Sequence, residues 1–175
     1  MAYGYGSFSR PIGETLTALR DGLMREYRAE YRPAHRRSPR RARRLRRIRG
    51  WGRETGRLLA QADRAVREVL PRIERDTGHT FRDPDGLLQV LADPSSKRLF
   101  LEIRAGFPDA ALPVPARDLD LLATLPDGAR AAAIIGDVTL QVTVLSGGDV
   151  PAAVLAALAD RWGLPGGRIG SPAGG

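Results

Sequence analysis

The amino-acid sequence predicts an α+β protein: a basic helical N-terminal region, folded as an αα-hairpin, followed by a small sheet domain of about four strands with two helices. Three observations lead there. Through residue 76 the apolar positions recur at spacings of three and four. Beyond Gly78 they gather into short runs, the last of which alternates strictly. Clusters of Gly, Pro, Asp and Ser separate those runs. The implied division is a flexible tail at 1–11, a basic helical region at 12–76, a small α/β sandwich-like domain at 77–164 and a second flexible tail at 165–175.

In the first region Ile12, Leu16, Leu19, Leu23 and Tyr27 mark one helical face, and Pro33 ends that helix near Tyr31. A basic connector containing Ser38 and Pro39 leads into a second helix over about 41–76. Its seam is Leu45, Ile48, Gly52, Thr55, Leu59, Ala62, Val66, Val69 and Ile73. Gly50, Gly52 and Gly56 weaken its middle by about 1 kcal/mol each, a place for it to break into a basic half and an amphipathic half, and Pro71 is expected to kink its last turns. The second half of this helix is expected to pack on the first helix, or the seam to pair two chains as a homodimer.

In the second region residues 87–91 and 98–104 read as a β-hairpin around the turn-forming stretch 92–96. Leu119, Leu122 and Leu125 suit a short helix after Pro115. Residues 131–135 and 138–145 read as two further strands joined at Gly136-Asp137. A last helix spans 150–162, opened by Asp149 as N-cap and Pro151 in its first turn.

Charge sets the functional expectation. The net charge is +8, but between residues 32 and 57 twelve arginines face the single acid Glu54. The chain has one lysine, Lys97, and abundant Ala, Gly and Pro. A genome-wide base bias accounts for arginine over lysine, but not for the clustering. A local excess of this density repels itself and calls for an anionic counterpart. Guanidinium groups fork onto phosphates and base edges, so the expected function is binding of nucleic acid, DNA or RNA. Arg36, Arg37, Arg40, Arg41, Arg43, Arg44, Arg46, Arg47, Arg49 and Arg53 form the candidate interface. The sheet domain would then serve positioning or protein contact. Trp51, set among these arginines, has two readings: a stack for an unpaired base, or the cap of the hydrophobic seam, which its spacing favours. Tyr3, Tyr5 and Phe8 in the tail are candidate anchors to a partner. A different class of function is a structural or adaptor protein that meets an acidic partner or a larger assembly.

Several chemistries are excluded or disfavoured. The chain has no cysteine, which removes disulfides, thiolate metal sites and cysteine nucleophiles. His35 and His79 are the only histidines, too few for a His-rich metal centre. No phosphate-binding Gly-rich fingerprint is present. No apolar stretch approaches the ~20 residues of a membrane span, and the first ten residues lack a signal-like apolar core, so a cytoplasmic location is expected.

One stretch carries a catalytic pattern. Phe81-Arg82-Asp83-Pro84-Asp85-Gly86 precedes the run at 87–91, and Glu102 and Arg104 lie in the run at 98–104. This resembles the PD-(D/E)xK nuclease motif, in which such acids meet at the end of a hairpin. The resemblance implies that Asp85 and Glu102 would hold Mg²⁺, with Arg104 in the third position and Glu68 or Glu74 completing the site. Arg104 replaces the lysine of that motif and cannot give up a proton at ordinary pH. A Mg²⁺-dependent nuclease, or a lapsed relative, is therefore the enzymatic alternative, and without it no cofactor is expected.

Overall fold

The computed structural model describes residues 8–31, 38–78, 80, 84–85, 88, 94–108, 111–124 and 160–162. Five α-helices organise them: α1 (Ile12–Tyr31), α2 (Pro39–Arg64), α3 (Leu70–Thr77), α4 (Lys97–Gly106) and α5 (Ala116–Thr124). A π-helical turn at Ala65–Val69 joins α2 to α3, and a 3₁₀ turn at Pro94–Ser96 precedes α4. No strand occurs among the described residues. The α+β expectation is therefore overturned, and with it the hairpin, because residues 98–104 lie inside α4. Leu99, Phe100, Ile103 and Phe107 are all buried, and spacings of three and four place them on one helical face. A short apolar run fits helix and strand alike by periodicity, and here burial along a helical stripe decides it. The other expected strands, 87–91 apart from the helical and buried Leu88, 131–135 and 138–145, lie outside the described residues. So does the last expected helix, apart from its helical end at residues 160–162.

The chain divides into two compact units that interleave along the sequence. The first comprises residues 1–60 and 97–124, the second residues 61–96 and 125–175. In the first unit α1 buries Ile12, Leu16, Leu19 and Leu23, the expected face, together with Thr15. It runs antiparallel to the N-terminal part of α2. A methyl group on Gly52 would sit 3.0 Å from the Met24 sulfur, and one on Gly56 would sit 3.5 Å from Cδ of Arg20. At the other end Arg44 reaches Glu30. The αα-hairpin thus exists, with the stretch of α2 from Arg44 to Gly56 facing α1. Gly52 leaves room for the Met24 side chain, whose sulfur a methyl there would press on. The glycines do not break α2, which is continuous through all three.

Helix α4 pairs with α5, bridged by Arg104 and Asp120 at 3.4 Å. The loop between them, with Leu112 and Val114 buried, returns to α1, where a methyl on Gly22 would clash with Cδ of Pro113. Ser9, expected in a tail, is instead held by α5: its N–H and hydroxyl both donate to the buried Asp118 carboxylate.

In the second unit the π turn stands immediately before Pro71. The Leu70 N–H closes back onto the Ala65 carbonyl, five residues earlier. Pro71 has no N–H and its ring crowds the preceding carbonyls, so a wider turn relieves the clash where the sequence predicts a kink. Helix α3 ends at Gly78, whose left-handed φ of 68° lets its N–H cap the Glu74 carbonyl at 2.9 Å. Asp76 anchors the C-terminal helical residues of this unit. It accepts from Nη2 of Arg161 and from Nε1 of Trp162, both at 2.9 Å.

Candidate nucleic-acid interface

Helix α2 starts two residues earlier than the expected boundary, and the cause is local. The Ser38 hydroxyl accepts the Arg41 N–H at 3.3 Å and its carbonyl accepts the Ala42 N–H at 3.1 Å. Ser38 is thus an N-cap, and Pro39 occupies the first helical position, where a missing N–H is harmless. This Ser-Pro pair was legible in the sequence as a helix start. From that cap the helix buries Leu45, Ile48, Trp51, Thr55 and Leu58 along one side.

The opposite side is arginine. At about 100° per residue, Arg43, Arg46 and Arg53 fall within about 80° of one another, diametrically across from Ile48. All three are exposed, as is Gly50 among them. Arg40 and Arg47 flank this ridge on one side and Arg49 on the other, and they too are exposed. Arg36 and Arg37 lie outside the described residues.

The ridge is sparsely neutralised by the chain itself. Among the described residues the ion pairs of this segment are Arg44 with Glu30 at 2.8 Å and Arg57 with Glu54 at 3.6 Å. Arg41 donates to the Glu30 carbonyl at 2.8 Å, and Arg46 to the Ala42 carbonyl at 3.4 Å. Two guanidiniums lie over aromatic rings: Arg44 over Phe107 at 5.1 Å and Arg47 over Trp51 at 4.9 Å. These contacts orient the groups without cancelling their charge. For Arg40, Arg43, Arg46, Arg47, Arg49 and Arg53 the described residues supply no carboxylate within ion-pair distance. Sequence reasoning singled out the arginines but missed Glu30. Its signal was faint: an acid in the last turn of α1, where the helix dipole favours bases, has to be held by something else.

Trp51 takes the role its spacing favours. It is 6% exposed, packs edge-on against Phe107 at 6.0 Å, and donates through Nε1 to Oε2 of Glu102 at 3.1 Å. A methyl on Gly106 would come within 2.6 Å of its ring. Glu102 also accepts from Nε of Arg98 at 2.8 Å, one helical turn away. The hydrogen bond from Arg98, then that from Trp51, holds the Glu102 carboxyl below the ordinary glutamate range.

The strand that the nuclease pattern presumes at residues 98–104 is not formed, because these residues lie in α4. Glu102 and Arg104 share no face of α4, since two residues along a helix turn by about 200°. Glu102 is committed to Arg98 and Trp51, and Arg104 to Asp120. Asp85 belongs to the second unit, as does Glu68, which pairs with Arg64 at 3.1 Å, and Glu74, whose carbonyl caps α3. Among the described residues no cluster of His, Asp or Glu could hold a metal ion. His35 and His79 lie outside the described residues, and no described helix is long and apolar enough to cross a membrane. No family model, curated protein or solved structure matches the chain, so the meaning of the arginine ridge rests on its chemistry.

Proposed function

We propose that this protein binds nucleic acid through the arginine face of α2, with the phosphate backbone as its principal contact. The observation that carries this reading is the exposed ridge of Arg43, Arg46 and Arg53 with its flanking arginines, which the described carboxylates leave without ion pairs. The apolar side of the same helix is occupied by α1 and by the ring of Trp51, so the helix is held rigidly with its charged side outward. Phosphates are the polyanion that fits: arginine engages them bidentately, and six guanidiniums along about 20 Å of helix match their close spacing.

Binding of a mixed-sequence oligonucleotide, followed by fluorescence anisotropy of the full chain, tests the reading. A contact set dominated by phosphates weakens steeply and linearly on a log–log plot as salt rises. Absence of binding at about 50 mM salt, where such contacts are strongest, would dismiss it.

A further inference from the structure

A glycine inside a helix costs stability against alanine, so each one asks for a reason. Most of the described glycines have one within the chain. An added methyl would meet Pro113 at Gly22, Met24 at Gly52, Arg20 at Gly56 and Trp51 at Gly106. Gly78 ends α3 with a left-handed backbone, and Gly13 lies in the first turn of α1, outside the helix interior. Gly50 differs. It lies in the middle of the 26-residue α2, it is exposed, and a methyl there would meet nothing within 4 Å.

Its place on the helix is specific. At about 100° per residue Gly50 lies about 160° round α2 from Ile48, so it faces away from the core and into the arginine ridge. Arg43 stands two turns before it, Arg46 and Arg47 one turn before and Arg53 one turn after, all exposed. Side chains on a helix lean toward its N-terminus, so Arg53 leans back toward Gly50, while position 50 covers nothing of the turn that carries Arg46 and Arg47. Bare helix backbone is thus framed by guanidinium groups for which the described residues supply no carboxylate within ion-pair distance. The acid one turn on, Glu54, is held by Arg57 at 3.6 Å.

We infer that Gly50 is the seat of a phosphodiester group: the bound strand comes closest to α2 there, and Arg46, Arg47 and Arg53 close on that phosphate from both sides. The inference rests on the function proposed above and says where on the ridge the nucleic-acid backbone sits. Backbone N–H groups in mid-helix are already bonded, so the glycine offers room and the arginines offer the donors. Without a Cβ the phosphate can rest against the main chain. Arg46 and Arg53 start about 10 Å apart along the axis on nearly the same bearing, so both can reach a group placed between them. A neighbouring helix would fit the same gap by size. In a two-fold pair of this chain, however, it would bring the same arginines against these, and like charges repel. A phosphate has the sign that the ridge needs.

The test compares the full chain with Gly50→Ala and Gly50→Leu on a labelled duplex of about 20 base pairs, by anisotropy at several salt concentrations. Neither substitution changes charge, and both place a better helix former in open space, so the melting temperature should stay level or rise. Gly50→Leu fills the seat and should weaken binding about tenfold, with a log–log salt slope shallower by about 1, the share of one phosphate. Gly50→Ala should fall between it and the parent. Weaker binding by an equally or more stable protein is a pairing that a merely structural role for residue 50 does not produce. Parent affinity and parent slope in Gly50→Leu would overturn the seat. If an Arg43→Ala/Arg46→Ala/Arg53→Ala variant nevertheless loses affinity, the arginine-ridge reading survives that failure. A Gly50→Leu variant that keeps its affinity but elutes differently on gel filtration would make the gap a contact between copies of the chain, and would equally overturn the seat. If the parent chain binds no oligonucleotide, both readings fall together.

Discussion

Replacing Arg43, Arg46 and Arg53 together by alanine puts a number on the arginine ridge. Six exposed arginines of α2 have no carboxylate partner among the described residues: these three with Arg40, Arg47 and Arg49. If each meets one phosphate of a duplex, the log–log slope of affinity against salt is about −5. On a single strand, where fewer counterions condense, it is about −4. Between about 50 and about 200 mM salt the duplex value corresponds to a loss of about a thousandfold. The triple variant keeps three contacts, so its slope should halve and the same salt change should weaken it only about fortyfold. Its fold should survive, because these side chains project from the solvent side of α2 and alanine is the better helix former. Anisotropy titrations at four salt concentrations give the slopes, and far-UV circular dichroism checks the helix. Arg64→Ala is the control: that arginine pairs with Glu68 and belongs to the other compact unit, so its removal should leave the slope where it was. A triple variant with the parent slope, or an Arg64 variant with an equally reduced one, would refute the assignment of binding to this face.

The remaining predictions concern stability. Gly50→Ala should stabilise the protein by up to about 1 kcal/mol, because nothing lies within 4 Å of the added methyl and α2 gains helix propensity. Gly106→Ala should destabilise by about 1–3 kcal/mol, because its methyl would come within 2.6 Å of the Trp51 ring; thermal melts give both signs. Glu102 has a folded-state pKa depressed below its unfolded value of 4.5, so its contribution to stability is present above that value and is lost as pH falls through the folded one. Glu102→Gln should therefore flatten the acid limb of a Trp51 fluorescence titration, and an unchanged limb would exclude this pair from acid sensitivity. Asp76→Ala removes the acceptor shared by Arg161 and Trp162 in a site whose carboxylate is only 13% exposed, and should cost about 1–3 kcal/mol with a red shift of Trp162 emission. Thr55→Val should raise the melting temperature, because it removes a fully buried hydroxyl that has no hydrogen-bond partner.

Periodicity and punctuation alone settled a good part of this molecule. The face of α1, its end before Pro33, the seam of α2, the disturbance at Pro71 and the short helix after Pro115 all follow from spacing and from backbone constraints on proline, which act within a few residues. The burial of Trp51 followed from the same seam. The concentration of arginine was equally plain, since charge is counted and not folded. What needed three dimensions was every judgement about partners. Leu99, Phe100 and Ile103 suit a strand as well as a helix until their burial along one stripe of α4, which pairs with α5, decides between them. Gly52 looks like a helix breaker until Met24 comes to rest against it, and Gly50, two residues earlier, has no such neighbour. That the indole and Arg98 share the Glu102 carboxylate is likewise invisible in the sequence. Which arginines are left without a carboxylate depends on contacts between residues distant in the chain. No local rule carries that information.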